Sequence, residues 1–292
     1  MEKLARGVAL LGLGLLTAAV MSTAGEAKTN APAKTPVLAV ISYWNTADLA
    51  KLPPDSLAVI NPNDGVLGAS KAVLEQARAA LGAAAKRGVR FLGYVPMGYG
   101  ERVSGRKNSG GTTGRTLEEI EAEVSAYHKA FSSTGALSGI FFDEADEPCA
   151  QAVLEYKRLG KFVRSKGLST VAWNPGWTGE GGCFVRAAQK GEIVATFEDS
   201  LKSYQSDPDV KAQLARAQGL ARARGVHQWH LIRSAKSEAE LRSTLKLALE
   251  RGADLVYVTD IGGNWQAGDN TCGSPPAYWD AEKSCLVSGV CP

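Results

Sequence analysis

Eight short apolar runs, each followed by a longer polar or amphipathic stretch, constrain the fold of this chain more than any other feature. They occupy residues 37–44, 57–63, 90–96, 139–144, 170–176, 193–199, 227–233 and 254–260. Each is rich in Val, Ile, Leu and aromatic residues and is nearly continuous in hydrophobicity. Strands buried on both faces of a parallel sheet read this way, whereas half-exposed strands alternate. The intervening segments 71–87, 117–131, 151–165, 210–224 and 238–251 have helical spacing. Thr116 precedes one of them, with Glu118, Glu119 and Glu121 in its first turns, where negative charge suits a helix N-terminus. Gly88, Gly167, Gly225 and Gly252 stand where a helix ends before the next strand. The segments after the first and fifth runs have room for only a turn or two of helix. Eight βα units in about 230 residues predict a single (β/α)8 TIM barrel, an α/β fold, with a cysteine-containing C-terminal tail. A doubly wound open sheet is the alternative, but no glycine-rich first turn supports it. The Gly/Ser/Thr-rich residues 98–114 are predicted to form a loop over the barrel mouth.

The ends of the chain carry other information. Lys3 and Arg6 precede an apolar run over 8–21 and small residues around Ala24 and Ala27. That layout predicts a signal peptide over 1–27, a flexible segment over 28–35 and the barrel over 36–292. The apolar run is short for a membrane span, so no stable membrane partner is expected. Secretion, or delivery to a periplasm or cell surface, follows. The five cysteines, Cys149, Cys183, Cys272, Cys285 and Cys291, suit disulfides in an oxidising compartment. Three of them stand near the end, where a loose tail would gain from stapling. Their spacing does not match a zinc site, and His128, His227 and His230 do not complete one. The net charge of +3 comes without a basic tract, which argues against nucleic acid as a partner.

A TIM barrel concentrates chemistry at the C-terminal ends of its strands. Here those ends hold Tyr43 and Trp44, Asn61, Tyr94 with Tyr99 beyond, Asp143 and Glu144, Asn174 with Trp177, Glu198, and Asp260. Glycosidic cleavage needs one carboxylic acid to protonate the leaving oxygen and one carboxylate to attack or to activate water. Asp143, Glu144 and Glu198 are the candidate catalytic residues, since a carboxylate ending a buried strand is costly unless paired or functional. Tyr43, Trp44, Asn61, Tyr94, Tyr99, Asn174, Trp177 and Asp260 are the candidate substrate-binding residues. Aromatic faces and amide or carboxylate groups suit the two surfaces of a sugar ring.

Several of these segments, in order, resemble the spherulation-specific family 4, the spherulin-4-like proteins. They are Val59–Ile60–Asn61–Pro62, Leu92–Gly93–Tyr94–Val95, Gly139–Ile140–Phe141–Phe142–Asp143–Glu144, Asn174–Pro175–Gly176, Phe197–Glu198 and Tyr257–Val258–Thr259–Asp260. The resemblance implies a secreted TIM-barrel glycoside hydrolase acting on polymers of α-1,4-linked galactosamine or N-acetylgalactosamine. It also implies catalytic acids at Asp143, Glu144 and Glu198, with Asp143 as nucleophile, Glu198 as acid/base and Glu144 in support. No cofactor or metal is expected, and the chain is expected to act as a monomer on a polysaccharide. The extra Trp173 and Trp177 and the tail cysteines depart from the family pattern.

Two other classes compete. A non-catalytic polysaccharide-binding or surface barrel would use the same aromatic residues. A metal-dependent lyase could hold a cation on the strand-end carboxylates, yet such enzymes usually need a Lys or His base at another strand end. No strand here ends in Lys, which also argues against a Schiff-base aldolase.

Overall fold

The computed structural model describes residues 36–42, 48–102, 114–263 and 271–288. The strands are β1 (Val37–Ser42), β2 (Leu57–Ile60), β3 (Arg90–Pro96), β4 (Leu137–Asp143), β5 (Thr170–Trp173), β6 (Ile193–Ser200), β7 (His227–Arg233) and β8 (Leu255–Val258). They pair in parallel and in chain order, and β8 closes on β1 through Val37–Leu255 and Leu38–Val256. The expected TIM barrel is therefore the observed one.

The helices are α1 (Lys71–Ala85), α2 (Leu117–Phe131), α3 (Cys149–Ser165), α4 (Cys183–Ala187), α5 (Leu201–Ser206), α6 (Pro208–Arg224), α7 (Glu238–Glu250) and α8 (Trp279–Ser288). Their starts are where capping chemistry puts them. Thr116 and Glu119 form a capping box ahead of α2, and Asp207 caps α6 with a proline at its first turn. Gly88, Gly167, Gly225 and Gly252 all have positive φ, as helix-terminating glycines do. A 3-10 turn (Asp48–Lys51) and the five-residue α4 occupy the two shorter segments.

Strand alternation places two aromatic layers. Phe141 of β4 meets Trp229 of β7 across the barrel at 5.5 Å between ring centroids. Its neighbour Phe142 points outward and stacks on Trp173 at 4.6 Å, and Trp173 stacks on Tyr156 of α3 at 3.9 Å. The outward indole is also satisfied, since Trp173 Nε1 donates to the buried Glu192 at 2.8 Å. These contacts fix β4 and β5 to each other and to α3.

The described part of the tail, residues 271–288, packs onto the barrel. Tyr278, Trp279 and Cys285 are buried, and Cys285 is disulfide-bonded. Pairing of β1 with β8 stops at Leu38–Val256, and Glu282 of α8 then accepts the Val258 N–H at 2.9 Å. The helix thus supplies the acceptor that the strand ladder no longer provides. This is a tertiary contact that no local pattern announces. The other disulfide joins Cys149 at the start of α3 to Cys183 at the start of α4.

Close packing makes one β4 position intolerant of any side chain. A Cβ on Gly139 would lie 1.8 Å from the Thr170 carbonyl oxygen, whereas one on Gly82 in α1 would meet nothing within 4 Å. Gly139→Ala should cost ~3 kcal/mol or more by overpacking. Gly82→Ala should stabilise by about 0.5–1 kcal/mol through helix propensity. Denaturant unfolding of both variants against the parent checks the contrast.

Candidate active site

A cavity of about 490 Å³ opens at the C-terminal ends of β3 to β6, where Tyr94, Tyr99, Asp143, Glu144, Asn174 and Glu198 come together. Asp146, Trp177 and the tail residues Thr271 and Cys272 complete part of its wall.

Asn174 sits at its centre. Its backbone N–H donates to Phe142 O at 2.8 Å, and its carbonyl accepts from Ala145 N at 3.0 Å. Its side-chain oxygen accepts the Gly176 N–H at 3.1 Å. That bond sets which way the amide faces. The amide nitrogen therefore points at the acids, donating to Asp143 Oδ1 at 2.7 Å and to Glu198 Oε2 at 2.5 Å. Both amide hydrogens are spent on this bridge.

Burial raises the pKa of both carboxyl groups. Asp143 is pushed up to about 8, first by burial and then by the charges of Glu198 and Glu144, against hydrogen bonds from Tyr94 and Asn174. Glu198 is also raised by burial, but the Asn174 hydrogen bond and the Arg233 guanidinium offset part of this. Like charges held this close share a proton at neutral pH. The charge of Arg233, which pairs with Asp199 at 3.3 Å, opposes the rise at Glu198 and so favours Asp143 as the holder of that proton.

Glu144 does not point away from the cavity as strand alternation would require. β4 ends at Asp143, and Glu144 has φ 55°, so consecutive carboxylates both reach the cavity. Its carboxylate accepts the Gly98 N–H at 3.1 Å, and its backbone carbonyl accepts Tyr99 N at 3.0 Å. Tyr99 also has positive φ, 51°. Two non-glycine residues in the left-handed region, bonded to one another, concentrate backbone strain at the mouth. Nearby, Arg102 donates to Met97 O at 2.7 Å and to Glu155 at 2.9 Å, and it also pairs with Glu147.

Tyr94, Tyr99, Asn174 and Trp177 thus join the three acids around one cavity. Asn61 and Asp260 do not line it. The Asn61 side chain accepts Gly65 N at 2.9 Å in the loop after β2, and the Asp260 carbonyl accepts from Lys236. Tyr43 and Trp44 lie outside the described residues. Arg233 and Thr271 carried no sequence signal, and Cys272 read only as a disulfide candidate: Arg233 ends an apolar run as an ordinary surface charge would, and the tail reaches the cavity only through the fold. Burial pushes the Cys272 thiol up to about 12, which makes it a poor nucleophile.

A family model described as Spherulation-specific family 4 matches residues 43–280. No curated protein matches the chain. Among solved structures, an exo-beta-1,4-mannosidase from Opitutaceae bacterium strain TAV5 is 16% identical at a TM-score of 0.51, over 76% of this chain and 52% of that one. A glycoside hydrolase family 30 subfamily 8 xylanase from Clostridium acetobutylicum is 14% identical at a TM-score of 0.51, over 82% of this chain and 70% of that one. Deoxyribose phosphate aldolase from Aeropyrum pernix is 16% identical at a TM-score of 0.47, over 76% of this chain and 85% of that one. At such identities the likeness to the mannosidase and the xylanase shows the barrel fold alone.

The raised pKa of Asp143 has a sign that can be checked. Below the ordinary carboxylate range both folded and unfolded chains are protonated, so burial of Asp143 carries no ionisation penalty. Between that range and about pH 8 the unfolded chain releases the proton while the folded one keeps it, and stability falls as pH rises. Asp143→Asn lacks this loss. It should melt higher than the parent at pH 7.5, with the gap closing near pH 4, as calorimetry at the two pH values would read.

Proposed function

This chain belongs to the spherulation-specific family 4, and we propose that it is a glycoside hydrolase cleaving α-1,4-linked galactosamine or N-acetylgalactosamine exopolysaccharide. The observation that carries this reading is the Asn174 bridge. Two oxygens bonded to one nitrogen at 2.7 and 2.5 Å are at most about 5.2 Å apart, and about 4.5 Å apart at the amide's own angle. Retaining glycosidases hold their carboxyl groups about 5–5.5 Å apart, whereas inverting enzymes need about 6.5–9.5 Å to admit a water. The nearest oxygens of Asp143 and Glu198 lie closer to the first spacing than to the second.

The chemistry follows from the charges. Glu198, whose rise is opposed by the charge of Arg233, is the carboxylate that attacks the anomeric carbon. Asp143 gives its proton to the glycosidic oxygen as that bond breaks. A water then loses a proton to Asp143 and displaces Glu198 from the sugar, restoring both groups. This double displacement needs neither metal nor cofactor. The role split is the reverse of the one implied by the family resemblance, and the Arg233 field is the reason for adopting it. Glu144 serves by holding Gly98 and Tyr99 at the rim, while Trp177 and Tyr99 offer rings to the sugar. The leader over residues 1–27 would deliver the enzyme outside the cytoplasm, where such polymers are found.

Purified protein incubated with amino-sugar polymers should release oligosaccharides detectable by mass spectrometry. Asp143→Asn and Glu198→Gln should each lower the rate by about 10²–10⁴-fold. On an aryl glycoside with an activated leaving group, which needs no proton, Asp143→Asn should recover most of the first step while Glu198→Gln stays inactive. Undiminished release by both variants, or no release from any polymer, would sink the reading.

A further inference from the structure

A second cavity, of about 260 Å³, meets the first at Gly176, Trp177 and Glu198, which line both. It runs from the end of β6 toward α5 and α6. Asp199, Ser203 and Gln213 give it polar groups and Val210 an apolar side, and all four are partly exposed. Its volume falls just below the ~300 Å³ at which drug-sized ligand sites begin, a size for one ring rather than a chain.

Trp177 borders both spaces, and it is anchored by its neighbours. Its side chain hydrogen-bonds Asp146. Its ring meets Phe184 edge-on, with centroids 6.0 Å apart. Phe184 follows Cys183, whose disulfide to Cys149 ties α4 to α3. The indole is 39% exposed, a large area for so fixed a ring. An exposed aromatic face anchored at its edge and bordering two polar hollows suits stacking against sugar rings, because little conformational freedom is lost on binding.

We propose that the second cavity is a sugar subsite, taking the hexosamine ring that adjoins the one attacked at Asp143 and Glu198, with Trp177 as the platform the two rings share. Ser203, Gln213 and Asp199 meet the hydroxyl or amino edge of that ring, and Val210 meets its apolar face. The proposal rests on the hydrolase reading above. It makes the enzyme selective for substrates long enough to fill both cavities.

Two variants leave the acid pair untouched. Val210→Trp fills the second cavity, and Gln213→Ala removes one of its polar groups without adding bulk. Rates would be measured on α-1,4-linked N-acetylgalactosamine oligomers of increasing length and on an aryl α-N-acetylgalactosaminide. In the parent, kcat/KM should climb by about tenfold, worth ~1.4 kcal/mol, once the oligomer spans both cavities. Val210→Trp should abolish that climb and Gln213→Ala should reduce it, with cleavage of the aryl glycoside within about twofold of the parent. Melting curves show that each variant folds, and if one does not the other decides. An unchanged climb in the folded variants overturns the subsite while leaving the hydrolase reading intact. A parent that cleaves neither oligomer nor aryl glycoside overturns the hydrolase reading and the subsite with it.

Discussion

The amide nitrogen of Asn174 donates to two partly buried carboxyl groups at once, and much of the surrounding structure keeps it there. Its own backbone is bonded on one side to Phe142 and on the other to Ala145, and its side-chain oxygen is tied to Gly176. Phe142 in turn is clamped through Trp173 to Tyr156 on α3. The acids could be brought this close only by an element holding them from between, because like charges in a buried site repel and each costs free energy to dehydrate. The site is therefore a locally unfavourable arrangement sustained by a well-packed barrel, as functional sites commonly are.

The same logic extends to the rim. Glu144 and Tyr99 adopt left-handed backbone conformations that a loop by itself would not hold, and they stabilise each other by a direct hydrogen bond. Arg102 gathers the β3 loop against two glutamates on the β4 side. Glu123 on α2 accepts the N–H groups of Val66 and Leu67 at 2.5 and 2.9 Å, which fixes the loop after β2. Acids thus organise the loops around the mouth by collecting backbone and guanidinium donors, a use of carboxylates distinct from the chemistry proposed for Asp143 and Glu198.

The barrel was legible in the sequence because every one of its strands is buried on both faces, which leaves eight separate apolar runs. The ends of those runs were less sharp. Residues past Ile60, Trp173 and Val258 remain apolar or turn-forming, but the regular ladder stops there. Asn174 and Thr259 each keep one backbone bond to the neighbouring strand, while the side chains of Asn61 and Asn174 turn to loop N–H groups. The acids were legible too, since Asp143, Glu144 and Glu198 close apolar runs. Position at a strand end locates a residue at the mouth without saying on which side of it the cavity forms, so Asn61 and Asp260 stand apart. Asn174 read as a strand-end group for binding sugar, and nothing local marked it as a bridge between acids. Its role as a bridge depends on two acids supplied by other strands. The same holds for Glu282 and Val258, which are brought together only when the tail packs as α8.

The central claim is that Asp143 and Glu198 stand at the spacing of a double-displacement pair. Proton NMR of the first product formed from an α-linked amino-sugar oligomer tests it most directly, before mutarotation mixes the anomers. Retention, with the α anomer appearing first, is the predicted result. The β anomer appearing first would mean that water attacks directly, and it would contradict the spacing that Asn174 imposes.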